Sequence, residues 1–142
     1  MSEPIAASVL TLNNVEVVYD HVSLAIKGVS LDVPERGMVA LLGANGAGKS
    51  TTLKSISGLL AAERGEVRRG DVRFRGQGIG ALMPQDRVRL GIAHVLEGRR
   101  VFEHLTPPEN LVAASALHSR QDMSRNMEMV YSYFPRLHER RA

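Results

Sequence analysis

Cysteine and tryptophan are absent from this chain of 142 residues. Without cysteine there is no disulfide and no thiolate metal site, a usage that fits a reducing compartment. Phenylalanine and tyrosine number three each, so leucine, valine, isoleucine and alanine must fill any interior. Long apolar runs are missing as well. The longest, Met38 to Leu42, is far too short to cross a bilayer. The opening stretch MSEPIAASVLTL has neither the basic start nor the apolar length of a secretion signal, so the expected location is cytoplasmic. Lysine is scarce too: of 18 basic residues three are lysine and the rest arginine, many of them between Arg64 and Arg100. No aromatic ladder interleaves these arginines, and a net charge of +3 reads as solvated strand and loop surface rather than as a nucleic-acid groove.

What remains is the composition of a globular domain, with 44% hydrophobic and 23% charged residues. VLTLNNVEVVY (9–19) and VSLAIKGVSLDV (22–33) alternate in polarity and are rich in β-branched residues, which predicts two strands joined at Asp20-His21. After a polar break at 34–37, MVALLG predicts a strand buried on both faces. A helix follows, with Leu53, Ile56 and Ser57 on one side and Gly58 as its terminator. Residues 66–69 and 72–75 predict two short strands turning at Gly70-Asp71, with flexible loop over 77–80. Pro84 opens a short helix that Gly91 ends, and IAHV (92–95) predicts another buried strand. Thr106 and Glu109 have the spacing of a capping box for a helix to about His118. Met127, Val130, Tyr131 and Phe134 recur at helical intervals as a core stripe, stopped by Pro135.

Between the predicted strand and the first helix stand Gly43, Ala44, Asn45, Gly46, Ala47, Gly48, Lys49 and Ser50, which fit G-x-x-x-x-G-K-[ST] at every fixed position. Glycine loses more backbone entropy on folding than other residues, so its clustering here needs a reason, and the reason is phosphate. Without side chains in the way, successive N–H groups can face an anion at the positive end of the following helix. Lys49 is placed to neutralise β- and γ-phosphate oxygens and Ser50 to ligate Mg2+, with Thr51 and Thr52 behind them. Other patterns carry less. Gly76, Gly78 and Gly80 imitate a dinucleotide loop, but Ala81 occupies the position of its last glycine. The five histidines lack metal-ligand spacing with acidic residues, and no serine sits in a nucleophile elbow.

Taken with Tyr19 and Glu97, the phosphate loop makes the chain from about Val9 resemble the first part of an ABC transporter ATPase subunit. GIAHVLEGRRVFEHLTPPENL and YSYFPRLHERR are similar, more narrowly, to the ATP-binding subunits of branched-chain amino acid importers. The resemblance implies an α/β fold, the P-loop NTPase core of an ABC ATPase with an antiparallel β subdomain and the start of a helical subdomain. On it, 9–33 and 66–75 form the antiparallel part, 38–60 and 84–96 the nucleotide-binding core, and 106–142 the start of the helical part. It implies ATP and Mg2+ as ligands, Tyr19 stacked on adenine, and Gly43 through Thr51 around the phosphates. It places Glu97 with Ser50 at the metal, where most of the superfamily has glutamine. Leu96 replaces the proline often found before that position. The implied partners are membrane-spanning permease subunits and a second ATP-binding subunit, on the inner face of the cell membrane.

The same resemblance implies a Leu-Ser-Gly-Gly motif, then an apolar strand ending in Asp-Glu, then a histidine beyond that strand, a series that does not occur within these residues. Asp71, Asp86 and Asp122 do not close an apolar strand. The expectation is therefore a domain incomplete over this length, a natural truncation or a fragment, better at binding than at turnover. It would leave Met38 to Leu42 as an unpaired, aggregation-prone edge. The alternatives are a truncated product without ATPase activity, an ABC ATPase for urea or amides, a nucleic-acid-associated ABC ATPase, and a small P-loop kinase with Arg99 and Arg100 as lid residues. The cargo is not written in these residues.

Overall fold

Strands β1, Ser8–Tyr19, and β2, Ser23–Pro34, form the expected hairpin, antiparallel along their length. Its turn places Asp20 and His21 at φ 50 and 61, left-handed values that match the twist of the strands they join. The computed structural model describes residues 7–98, 100–117 and 119–140. They fall into two units, Met1–His94 and Val95–Ala142.

In the first unit β3, Gly65–Phe74, pairs with β1, and the two-residue β4, Gln77–Gly78, pairs with β3, giving the antiparallel order β2-β1-β3-β4. The expected turn at Gly70-Asp71 is not there: β3 runs straight through. Gly70, at φ 83, faces a register shift between Asn13 and Glu16 of β1, and a Cβ on it would overlap the carbonyl oxygens of Asn13 and Asn14. The glycine therefore marks a bulge where two backbones touch. The chain turns instead at Arg75 and Gly76, φ 48 and 78. Residues 77–80, expected to be flexible, carry Ile79 into the core at 0% exposure. Full burial of such a side chain is worth about 2 kcal/mol, enough to hold the segment down.

That core joins Leu12, Val15 and Val17 of β1, Ile26 of β2, Val72 of β3, Leu60 and Ile79. Over it lies helix α1, Lys49–Ser57, ended by Gly58 at φ 80, followed by a 3-10 turn over Leu59–Glu63. The buried side chains of α1 are Thr52, Ser55 and Ser57; of the three residues placed on one side, Ser57 is buried, Ile56 half-buried and Leu53 exposed. Each hydroxyl satisfies itself on the helix: Thr52 Oγ1 donates to Gly48 O at 2.9 Å and Ser55 Oγ to Thr52 O at 2.7 Å. The small hydroxyls let α1 sit close to the sheet.

Two expected strands do not form. Residues 38–42 pair with nothing among the described residues, and Met38 and Leu42 are 96% and 89% exposed. A continuous apolar run encodes burial on two faces, but a strand exists only where another strand offers its edge. Residues 92–95 likewise join no strand among the described residues. Before them α2, Pro84–Arg89, forms as expected, with Gly91 past its end at φ 103.

In the second unit α3, Pro107–Ala114, starts at the predicted capping box, with Thr106 and Glu109 bonded reciprocally. It stops four residues before His118, which lies outside the described residues. Helix α4, Arg120–Tyr133, carries the Met and aromatic stripe, but Met127, Val130 and Tyr131 are only half-buried and Phe134 is exposed. The pattern stops before Pro135 as expected, with Phe134 outside the helical region at φ −128, and the proline then opens a separate helix, α5, Pro135–Glu139, where it suits the first turn. Among the described residues no helix is long and apolar enough to cross a membrane.

Candidate functional site

Residues 43–48 form an exposed or half-exposed loop that ends on α1. Gly46 and Gly48 have φ of 84 and 88, where a side chain is strained. They differ in surroundings. A Cβ on Gly48 would overlap Ile26 Cγ2 of the core, whereas Gly46 faces open space. Gly48 thus seats the loop on β2, and Gly46 leaves its outer side free. Ala47 N donates to Ala44 O at 3.1 Å, closing the turn around Asn45 and Gly46.

Helix α1 begins with Gly48 at its cap, and among the described residues no side chain satisfies its first N–H groups. Those donors and the helix dipole together favour an anion there. Lys49 Nζ folds back across the loop and donates to Gly43 O at 2.6 Å and to Ala44 O at 2.7 Å. An ammonium has three donors, so one N–H is left without a protein acceptor among the described residues. The loop fits a chain of phosphates: backbone donors at a helix start, a lysine already drawn over them, and no side chain on the open flank.

Thr51 lies one residue beyond Ser50, which is exposed. The Thr51 hydroxyl stands 3.4 Å from the Tyr19 hydroxyl at the end of β1. The first unit therefore brings together Tyr19, the loop Gly43 to Gly48, Lys49, Ser50 and Thr51. Glu97 belongs to the second unit; its side chain is exposed and its carbonyl accepts from Arg100 Nε at 3.2 Å. Of the two arginines named for a lid, Arg99 lies outside the described residues. Among the described residues no cluster of three His, Asp or Glu could hold a metal.

The residue that sequence reasoning passed over is Arg87, 5% exposed. Its Nη1 donates to Ser55 O at 2.7 Å and Ile56 O at 2.9 Å, Nη2 to Gly80 O at 3.1 Å, and Nε to Leu82 O at 3.1 Å. Two of these are carbonyls from the last turn of α1, so the cation sits at the negative end of the helix whose positive end carries the loop. Burial holds the guanidinium below its ordinary value. Gly58 leaves it room, since a Cβ there would stand 3.0 Å from Arg87 Nε. His94 Nδ1, 2.7 Å from Ser57 Oγ, adds a second tie at the same end. In the sequence Arg87 is one of many arginines, and only its carbonyl partners distinguish it.

The ABC transporter family model matches residues 26–141. The chain is 37% identical over 131 residues to the high-affinity branched-chain amino acid transport ATP-binding protein BraG of Pseudomonas aeruginosa, covering 92% of this chain and 54% of the relative. It is 35% identical over 104 residues to a phosphonates import ATP-binding protein, PhnC 2, of Haloarcula marismortui, covering 73% of this chain and 37% of the relative. A solved ATP-binding subunit of an ABC transporter superposes with a TM-score of 0.77 at 31% identity, over 94% of this chain and 53% of that one. The chain thus spans about half the length of the relatives it matches best among these. A family match over most of its residues, on a fold that presents the glycine loop at the start of α1, shows that the chain belongs to the ABC transporter family.

Proposed function

We propose that this chain binds MgATP at Gly43 to Thr51 and supplies the nucleotide-binding part of an ABC importer subunit for branched-chain amino acids. The observation that carries the reading is the loop itself, with Lys49 drawn over its carbonyls at the uncapped start of α1. In this reading the amides of the loop and of the first helical turn hold the phosphates. Lys49 exchanges a carbonyl for a phosphate oxygen, and Tyr19 stacks on the base. Ser50 and Glu97 are the proposed Mg2+ ligands, and the bound ion would neutralise phosphate charge. The proposed layout follows the sequence: 9–33 and 66–75 as the antiparallel part, 38–60 and 84–96 as the nucleotide-binding core, and 106–142 as the start of the helical part.

The proposed partners are membrane-spanning permease subunits and a second ATP-binding subunit, with the protein on the cytoplasmic face of the membrane. Nucleic acid is not among them: Arg64, Arg73 and Arg89 pair with Asp20, Asp71 and Asp86, which supports reading the arginine-rich stretch as solvated surface. The cargo rests on the names of two relatives, BraG and the protein named probable branched-chain amino acid transport ATP-binding protein LivF of Archaeoglobus fulgidus, 36% identical over 109 residues.

Titration calorimetry with MgATP tests the site. Lys49→Ala is expected to weaken binding by about a hundredfold, the scale of lost charge-assisted bonds; equal affinity in the variant overturns the assignment. Uptake of labelled leucine, isoleucine and valine by cells lacking the reading frame tests the cargo. Normal uptake of all three overturns it.

A further inference from the structure

Tyr19, the last residue of β1, stands directly opposite Gly65, the first residue of β3, in antiparallel register. A glycine in such a pair leaves its backbone bare, and an aromatic ring across from it lies over the gap and is fixed by it. A Cβ on residue 65 would stand 2.7 Å from Tyr19 Cε1, 3.0 Å from Cδ1 and 3.2 Å from Leu60 O. Carbon atoms that are not bonded do not approach so closely, so any side chain at 65 displaces the ring. The backbone of Gly65 is not in the left-handed region, which means that space, not conformational freedom, is what the glycine supplies here.

The neighbours of the pair hold both strand ends in place. Asp20 N donates to Arg64 O at 3.1 Å, and His21 Nδ1 lies 2.8 Å from Glu66 Oε1. At the far end of the ring, the Tyr19 hydroxyl reaches Thr51 Oγ1 in the first turn of α1. Ring position is therefore set from two sides, by bare backbone at Gly65 and by a hydroxyl on the helix that carries the loop. We propose that Gly65 is a positioning residue which presets Tyr19 as the platform for the nucleotide base, and so governs affinity for the base without touching the phosphates. The inference rests on the reading above, in which the base stacks on Tyr19.

The experiment compares ATP with inorganic tripolyphosphate, which has the phosphates and no base, by titration calorimetry on the full chain. Tyr19→Ala is expected to weaken ATP by about tenfold, the scale of one lost base–aromatic stack, with tripolyphosphate affinity unchanged. Gly65→Ala is expected to reproduce that pattern, and to add nothing further to ATP affinity in the Tyr19→Ala background. If Tyr19→Ala leaves ATP affinity intact, the stacking reading fails and takes this inference with it. If Tyr19→Ala weakens ATP and Gly65→Ala does not, the inference alone is overturned. A second measurement needs no variant at 65. In the wild-type chain, nuclear Overhauser contacts from the Tyr19 ring to the Gly65 α-protons are expected with and without ATP; their disappearance when ATP binds overturns the proposal.

Discussion

Arg87 Nη1 donates to the carbonyl of Ser55 at 2.7 Å, which places a buried cation at the C-terminal end of the helix that begins with Lys49. Its four acceptors are all main-chain carbonyls, from Ser55, Ile56, Gly80 and Leu82. A methionine of similar length would fill the volume and leave those oxygens without a donor. Arg87→Met is expected to lower unfolding free energy by about 3 kcal/mol, as buried acceptors lose charged partners. Arg87→Lys recovers only part of this, because an ammonium lacks the planar fork that reaches several carbonyls at once. Urea unfolding of the three proteins checks the order, and equal midpoints would remove Arg87 from the account of α1.

Gly46 and Gly48 share a left-handed backbone but not an environment. Gly46→Ala meets only the conformational cost, about 1 kcal/mol, because nothing among the described residues lies within 4 Å of its added carbon. Gly48→Ala adds overlap with Ile26 to the same strain, and the combined loss is about 3 kcal/mol. Thermal melts of the two variants should separate clearly, with Gly48→Ala the lower; coincident melts would mean that the loop is not seated on β2 as described.

Glu109 carries a pH dependence whose direction is fixed by its cap. The Thr106 hydroxyl, at 2.7 Å, and then the Thr106 N–H, also at 2.7 Å, donate to the Glu109 carboxylate and hold it below the usual carboxylate range. A carboxyl lowered in the folded state contributes stability that is complete above its unfolded value and is lost as pH falls through the folded one. Helix α3 should therefore be unaffected near neutrality and fray at its start only in acid, below the ordinary carboxylate value. Thr106→Ala should raise the Glu109 titration midpoint followed by carboxyl-carbon NMR. An unmoved midpoint would show that the hydroxyl is not its cause.

Met38 and Leu42 stand in solvent at the approach to the loop 43–48. Replacing Leu42 by lysine removes exposed apolar surface and no buried contact, so Leu42→Lys is expected to change stability by less than about 0.5 kcal/mol. Light scattering is expected to show the variant staying monodisperse at higher concentration than the parent chain. Equal association in the two would show that residues 38–42 do not drive it.

The features legible in the residues themselves are those whose physics is local. Glycines at fixed steps before Lys49 and Ser50 announce a loop opening a helix; Asp20-His21 announces a tight turn; Thr106 and Glu109 announce a cap. In each case the interacting groups lie within a few positions of one another, so spacing alone specifies the contact. Gly58 as a helix terminator and Pro84 at a helix start belong with them.

Other features depended on which distant groups arrive beside them. Gly70 looked like a turn and is a bulge, because Asn13 and Asn14 come from another strand to touch it. Ile79 looked like loop and is core, Arg87 looked like surface and is buried, and the apolar run 38–42 looked like a strand and pairs with nothing described. Hydrophobicity tells a residue's preference for burial, but burial needs neighbours, and neighbours 20 or more positions away are supplied by the packing of sheet against helix. The same holds for Tyr19: its aromatic character is written in the chain, while the bare backbone that holds it in place came only with Gly65 across the strands.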